Sequence, residues 1–326
     1  MPPWTPCPTI PIDLKSGPNT LPNAAISQGR RLLDAVLSEF PGETHQLADL
    51  VRLRTANRFH KEAVRYARLV ERTWRDIILA NIAYDLAISM FGCSTMALAT
   101  TNGPALARNM DWWPEDLLAR ATYLLDYRNN NSPALVTAGW PGSIGAVSGM
   151  SHRGFAATIN AVAAPEGLAM TGYPVLLHLR RVLQDAANFD AALDQLSHTK
   201  LTTGVLFMLV GTENHHRVVI ERTPTRHALR WAEDDFPLLV TNDYRILDQT
   251  TGDTKSMLAQ TACARYTALE ALARSLSPKE AASDTPLLDC LTDDRVQMGI
   301  TAQHMIFRPA SGHARAFVPT RLLGER

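Results

Sequence analysis

The sequence predicts an α+β chain, in which a helical stretch precedes a mainly antiparallel sheet core with helices on its outer faces. Two features lead to that reading. Up to residue 92 the chain is rich in helix formers with apolar residues three and four apart, as at Val64, Ala67, Val70, Trp74 and Ile77. From residue 93 it turns to short β-like runs punctuated by Asn-Gly, Pro-Gly and Gly-rich turns. Stacking helices on sheets is the simplest arrangement that buries both kinds of apolar face.

The helical part divides into residues 24–40 and 48–92. Its most apolar stretch, DIILANIAYDLAISMFG, is interrupted by Asp76, Asn81 and Asp85 and is too short to span a bilayer, so it reads as a buried helix. The strand candidates are STMALAT (94–100), GFAATINAV (154–162), TGVLFMLVG (203–211), RVVIER (217–222) and PLLVTN (237–242). Helices are expected over 174–187, 190–198 and 255–275. The proline-rich start, MPPWTPCPTIPIDLKSGP, has neither a basic head nor an apolar run, which predicts no signal peptide and a cytoplasmic chain.

Composition removes several classes of function. The 326 residues are 46% hydrophobic and 20% charged, an ordinary globular balance. With 32 basic against 32 acidic residues there is no overall field to hold nucleic acid or an anionic membrane, and no nucleic-acid partner is expected. The four cysteines, at 7, 93, 263 and 290, form no Cys-x-x-Cys pair, which argues against a zinc ribbon or a disulfide scaffold. A Cys7 bridge to Cys263 or Cys290 does not fit a chain without a secretory signal. Glu213, His215 and His216 fall in a hairpin turn, where adjacent histidines are usually solvated; His152 reads as a turn residue and His304 as a strand residue near the core. No metal or cofactor is expected.

The stretch MFGCSTMALATTNGPALARNMDWW (90–113) carries the chemistry. A mid-chain thiol has a pKa of about 8.5 and needs a base and a positive neighbour to become a good nucleophile. If the chain were cut before Cys93, the freed α-amino group, with a pKa of about 7.7–8.0, would be a base on the same residue. Gly92 permits such a cut, because the absent β-carbon widens the backbone conformations from which the thiol reaches the preceding carbonyl. TTNGPA offers a hairpin turn that returns residues 108–112 beside Cys93. With Asn102-Gly103 as a two-residue turn, Ala97 faces Arg108 and Ser94 faces Asp111, so Arg108 shares the Cys93 face and Asp111 does not. A bulge or strand end near Asn109 is then expected, with Arg108 serving the thiolate and Asp111 the α-amino group. An isolated core cysteine and a surface Arg–Asp pair are the alternative at this level.

CST followed by ARNMDWW resembles the N-terminal-nucleophile (Ntn) hydrolases of the acid ceramidase and N-acylethanolamine acid amidase family, in the wider group of choloylglycine hydrolases and penicillin acyltransferases. The order IPIDLKSGP, WRDIILANIAYDL, GWPGSIGAVSGMSHRGFAATIN, GVLFMLVGTENHHRVVIERT, LLVTNDY and ACARYTALEAL extends the likeness over nearly the whole chain. The resemblance implies a four-layer αββα sandwich with an N-terminal helical segment, divided at the Gly92–Cys93 autocleavage bond into residues 1–92 and 93–326. It makes Cys93 the nucleophile, with Arg108 and Asp111 beside thiol and amine, Asn242 on the substrate carbonyl oxygen, Arg265 near the same pocket and Asn160 at the end of a neighbouring strand. It further implies a self-processing amidase of N-acyl, fatty-acyl amides such as N-acylethanolamines or ceramide-like lipids, whose cleaved N-terminal segment is retained as a subunit. Trp112, Trp113 and Trp140 are candidate walls of an acyl channel. An acyltransferase using the same cysteine, or an uncleaved binding protein, are the alternatives.

Overall fold

A computed structural model describes residues 2–40, 42–87, 92–247 and 257–324. The chain opens with two strands, β1 (Trp4–Pro6) and β2 (Thr9–Asp13), before the helices α1 (Asn23–Ser38), α2 (Gln46–Arg54), α3 (His60–Val70), α4 (Trp74–Asn81) and α5 (Ala83–Leu86). The helix-rich stretch 48–92 is thus divided among several helices. Ala56 and Asn57 adopt positive φ after α2, and Glu71 does so at the end of α3. Thr73 and Asp76 then form a reciprocal capping box that starts α4 afresh. Gly92 belongs to a strand, and residues 88–91 of the expected helix lie outside the described residues.

The hairpin β3 (Gly92–Leu98) and β4 (Ala105–Asp111) leads to α6 (Glu115–Ala121), β5 (Tyr123–Asn129), β6 (Ser132–Gly139), β7 (Ser148–Ser151) and β8 (Phe155–Ala161). Helices α7 (Val175–Asp185) and α8 (Phe189–His198) precede β9 (Val205–Val210), β10 (Arg217–Arg222), β11 (His227–Trp231) and β12 (Leu238–Val240). The chain closes with α9 (Met257–Arg274), α10 (Asp284–Thr292), β13 (Thr301–Arg308) and β14 (His313–Pro319). Of the helix expected over 255–275, residues 255 and 256 lie outside the described residues.

Among the described residues the strands form two sheets, in the orders β1-β14-β13-β4-β3-β12 and β11-β10-β9-β8-β7-β6-β5-β2. All pairings are antiparallel except β2 on β5. Helices α9 and α10 lay Leu269, Ala273, Leu287, Leu288 and Leu291 on Met96, Leu98, Ala107 and Ile306 of the first sheet. Helices α7 and α8 pack on β7, β8, β9 and β10 of the second. The two sheets face each other through β3 and β8, which completes an αββα order of layers.

Strands β3, β4, β8, β9, β10 and β13 are buried along their whole length; β9 accordingly reads as a continuous apolar run, whereas β4, β10 and β13 carry buried polar and charged side chains. The N-terminal segment is not purely helical, because β1 and β2 supply an edge strand to each sheet.

Candidate active site

The β3–β4 hairpin sets most of the site. Its ladder closes at Leu98–Ala105 and pairs Thr95 with Arg108, Cys93 with Met110 and Gly92 with Asp111, two residues away from the register of an Asn102-Gly103 turn. Thr100 builds the longer loop. Its hydroxyl donates to the Gly103 carbonyl at 2.6 Å and accepts the Asn102 N–H at 3.1 Å. Asn214, from the neighbouring 211–216 turn, grips the N–H and carbonyl of Thr100 at 3.2 and 2.9 Å. Because the slip is an even number of residues, the faces are unchanged: Arg108 shares the Cys93 face and Asp111 lies opposite. Strand β4 is regular to its end at Asp111, and the irregularity expected near Asn109 falls instead on β13, between Thr301 and Gln303.

Cys93, 3% exposed, is held on every side. On the inter-sheet face Arg108 Nη2 donates to the sulfur at 2.8 Å and to the Ile159 carbonyl at 2.5 Å. Its Nη1 donates to the Val147 carbonyl at 2.9 Å and to the Ser148 hydroxyl. Held by these fixed protein acceptors, the planar guanidinium is oriented with one N–H on the sulfur. On the helix face Arg265 Nη1 of α9 donates to the Cys93 carbonyl at 2.7 Å and to Ser94 Oγ at 2.9 Å. Burial lowers the pKa of Arg265, against the opposing pull of Asp111.

In the uncut chain the backbone N–H of Cys93 goes to Asn242 Oδ1 at 3.1 Å. Asn242 follows β12 and also accepts from Arg265 Nη2 at 2.8 Å, while its Nδ2 donates to the Ala161 carbonyl at 2.9 Å. Asp111 lies on the helix face, as its strand parity requires. Its Oδ1 accepts from Thr301 Oγ1 at 2.5 Å and its Oδ2 stands 3.8 Å from Arg265 Nη1, without a hydrogen bond among the described residues. Burial raises its pKa, and Arg265 and Thr301 oppose that shift.

Asn160, at the end of β8, accepts from Thr95 Oγ1 at 2.8 Å and donates to the Val240 carbonyl at 3.1 Å, so it ties β3, β8 and β12 together beside the thiol. Trp112 and Trp140 meet edge to face with centroids 5.6 Å apart. They line an apolar crevice with Leu32, Leu33 and Pro141. Trp112 continues, with Trp113, into a mainly apolar cavity of about 100 Å³ walled by Val36, Glu39, Phe40, Ala83 and Ala87. Ser148 and Thr301, which orient Arg108 and Asp111, carry no local motif that marks them in the sequence.

The residues weighed for other roles are structural. His304 Nδ1 pairs with Asn109 Oδ1 at 2.7 Å, and burial pushes its pKa down to about 3. His216 stacks on Phe189, and His215 meets His216 edge to face. Cys7, Cys93, Cys263 and Cys290 are free thiols. Among the described residues no cluster of three or more His, Cys, Asp or Glu is arranged to hold a metal, and no helix is long and apolar enough to cross a membrane.

Two facing sheets between helix layers, with a cysteine at the head of the strand that meets a neighbouring arginine, place the molecule in the Ntn-hydrolase class. Within it the chain belongs to the acyl-coenzyme A:6-aminopenicillanic acid acyl-transferase family, whose pattern matches residues 98–292. That match includes Arg108, Asp111, Asn160, Asn242 and Arg265 and begins just after Cys93. An N-acylethanolamine-hydrolyzing acid amidase of Caenorhabditis elegans is 26% identical over 194 residues, 55% of this chain and 53% of the relative. One of Oryctolagus cuniculus is 28% identical over 169 residues, 49% and 46% of the two chains. The chain spans about half the length of the curated relatives it matches. The solved structure of a C. elegans N-acylethanolamine-hydrolyzing acid amidase ortholog shares the fold, with a TM-score of 0.56 at 18% identity over 67% of this chain and 93% of that one.

Proposed function

We propose that the chain is a self-processing cysteine amidase that hydrolyses the linear amide bond of N-acyl amides with apolar acyl chains. The observation that supports this most is the triple hold on Cys93: Arg108 on its sulfur, Asn242 on its nitrogen and Arg265 on its carbonyl oxygen. The acyl-amide class is supported by the relatives' names and by the mainly apolar cavity beside Trp112.

In the precursor the Cys93 thiol attacks the Gly92 carbonyl carbon and the acyl group passes from nitrogen to sulfur, which frees the amine of Cys93; water then hydrolyses the thioester, releasing the Gly92 carboxylate and restoring the thiol. In the mature enzyme that amine takes the thiol proton, the thiolate attacks the substrate carbonyl, and a backbone N–H together with Asn242 Nδ2, turned from Ala161, stabilises the oxyanion. The ammonium then protonates the leaving nitrogen, and as a free base it activates the water that releases the acid. Asp111, across the ladder from Gly92, is the carboxylate nearest along the strands to the new amine.

Residues 1–92 are expected to stay bound after the cut as one subunit, with 93–326 as the other. β1 and β2 are built into the two sheets, and Asn81 joins Gly142, Ile144 and Gly145 through four-way hydrogen bonding that includes its own helix. Glu62 of α3 faces the buried Arg180 at 3.8 Å, and separation would strip that charge of its partner.

Intact-mass measurement at neutral and mildly acidic pH, beside a Cys93→Ala control, tests the reading. Fragments divided between Gly92 and Cys93, absent from the control, support it, and an uncut wild-type chain overturns it. The family's description favours one second reading, acyl transfer, in which an added amine rather than water takes the acyl group from Cys93. A new amide formed in the presence of that amine would establish it.

A further inference from the structure

We propose that Glu221 is a positioning residue for this site, whose carboxylate gathers the segment carrying Asn242 and so aims Asn242 at the backbone nitrogen of Cys93. The inference rests on the reading of Cys93 as the nucleophile.

Glu221 lies on β10 of the larger sheet, on the face opposite Arg222, and is fully buried. A carboxylate at the centre of a fold needs hydrogen-bond donors, and here they come from consecutive main-chain N–H groups. Oε1 accepts from Arg245 at 3.0 Å, and Oε2 accepts from Arg245, Ile246 and Leu247 at 3.1, 2.9 and 2.9 Å. Three successive main-chain N–H groups held by one buried side chain fix the path of the chain just beyond Asn242.

The approach to Asn242 is fixed from the same place. Arg230, whose Nε stands 3.8 Å from Glu221 Oε1, donates through Nη2 to the Leu239 carbonyl of β12 at 2.8 Å. Tyr244 donates its hydroxyl to the Arg222 carbonyl at 2.7 Å. The segment is thus pinned before and after Asn242 by β10 and β11. It also reaches the other support of Cys93, because the Arg245 guanidinium lies 3.5 Å over the ring of Tyr266, next to Arg265 on α9. Neither Asn242 nor Arg265 touches Glu221, yet the segment joins all three.

Glu221→Gln preserves shape but turns an N–H donor toward the cluster of main-chain N–H groups. Self-cleavage of the full chain is followed by intact mass for wild type, Glu221→Gln, Asn242→Ala, the double variant and Cys93→Ala, with thermal midpoints recorded for each. The expected result is cleavage at least about tenfold slower in Glu221→Gln, and a double variant no slower than Asn242→Ala alone. A purely structural carboxylate would instead slow both backgrounds by the same factor, and that outcome overturns the proposal. So does a Glu221→Gln chain that cuts within about twofold of wild type. A wild-type chain that stays as intact as Cys93→Ala overturns the reading of the nucleophile itself.

Discussion

Asn242 holds the backbone nitrogen of Cys93 across 149 residues of sequence, through an Oδ1 that also receives Arg265. In the proposed mechanism its two amide atoms have separable tasks: the oxygen places the nucleophile, and the nitrogen donates to the oxyanion. Asn242→Asp retains acceptors and loses the donor. It is expected to keep the fold and to lower kcat by about 10²–10³, the usual loss for one oxyanion donor. Steady-state kinetics on a fatty-acyl amide would show this, and an unchanged kcat would remove Asn242 from the transition state.

Arg108 is expected to matter for stability as well as chemistry. Its removal leaves the Val147 and Ile159 carbonyls and the Ser148 hydroxyl short of a buried donor, at about 1–3 kcal/mol for each group left unsatisfied. Arg108→Lys keeps one charge but cannot supply the fork, so alkylation of Cys93 by iodoacetamide at pH 7 should slow by roughly tenfold. Peptide-resolved mass spectrometry separates Cys93 from the exposed Cys263. A lysine variant as reactive as wild type would show that the charge alone suffices.

Asp85, buried on α5, gives stability a pH dependence. Burial raises its pKa from 3.8 to about 7, opposed by the Val175 N–H and the Thr202 hydroxyl. The native carboxyl stays protonated where the unfolded one has ionised, so its contribution is complete below 3.8 and is lost as pH rises through about 7. The slope is about 1.4 kcal/mol per pH unit, or roughly 3 kcal/mol between pH 5 and 7. In an uncut Cys93→Ala background, Asp85→Asn should flatten that decline while its amide oxygen still accepts from Val175. Urea unfolding at pH 5 and 8 measures it; parallel declines in both chains would assign the slope to other groups.

The sequence made the nucleophile hairpin legible because strand parity depends only on whether the loop is odd or even. Arg108 therefore reaches the Cys93 face although the loop is four residues longer than a two-residue turn. The partner of the Cys93 nitrogen was not legible at that level. Asn242 arrives from an edge strand far along the chain, and the residues that aim it, Glu221 and Arg230, read as ordinary strand charges. The N-terminal helix boundaries were missed for a local reason: Thr73 and Asp76 form a capping box inside a helical pattern, where Asp76 looks like a mere interruption. Strands β1 and β2 escape the periodicity because each is a short, proline-bearing edge, which is where proline is tolerated in a sheet.

The cavity beside Trp112 makes the acyl group testable by length. Trp112 and Trp113, which line it, directly follow β4, the strand that carries Arg108. The far wall of the cavity is Val36, Glu39, Phe40, Ala83 and Ala87, all from the N-terminal segment. A chain threaded there buries methylenes at about 0.8 kcal/mol each, so blocking two of them costs about 1.6 kcal/mol, slightly more than tenfold in binding. Ala87→Phe puts a ring into that space, whose lining does not include Arg108, Asn242 or Arg265. The expected outcome is a KM raised about tenfold for a sixteen-carbon acyl amide and unchanged for a two-carbon one, with kcat preserved for the short substrate. Equal losses for both lengths would place the effect at the nucleophile, and no loss for either would send the acyl chain to another face of the molecule.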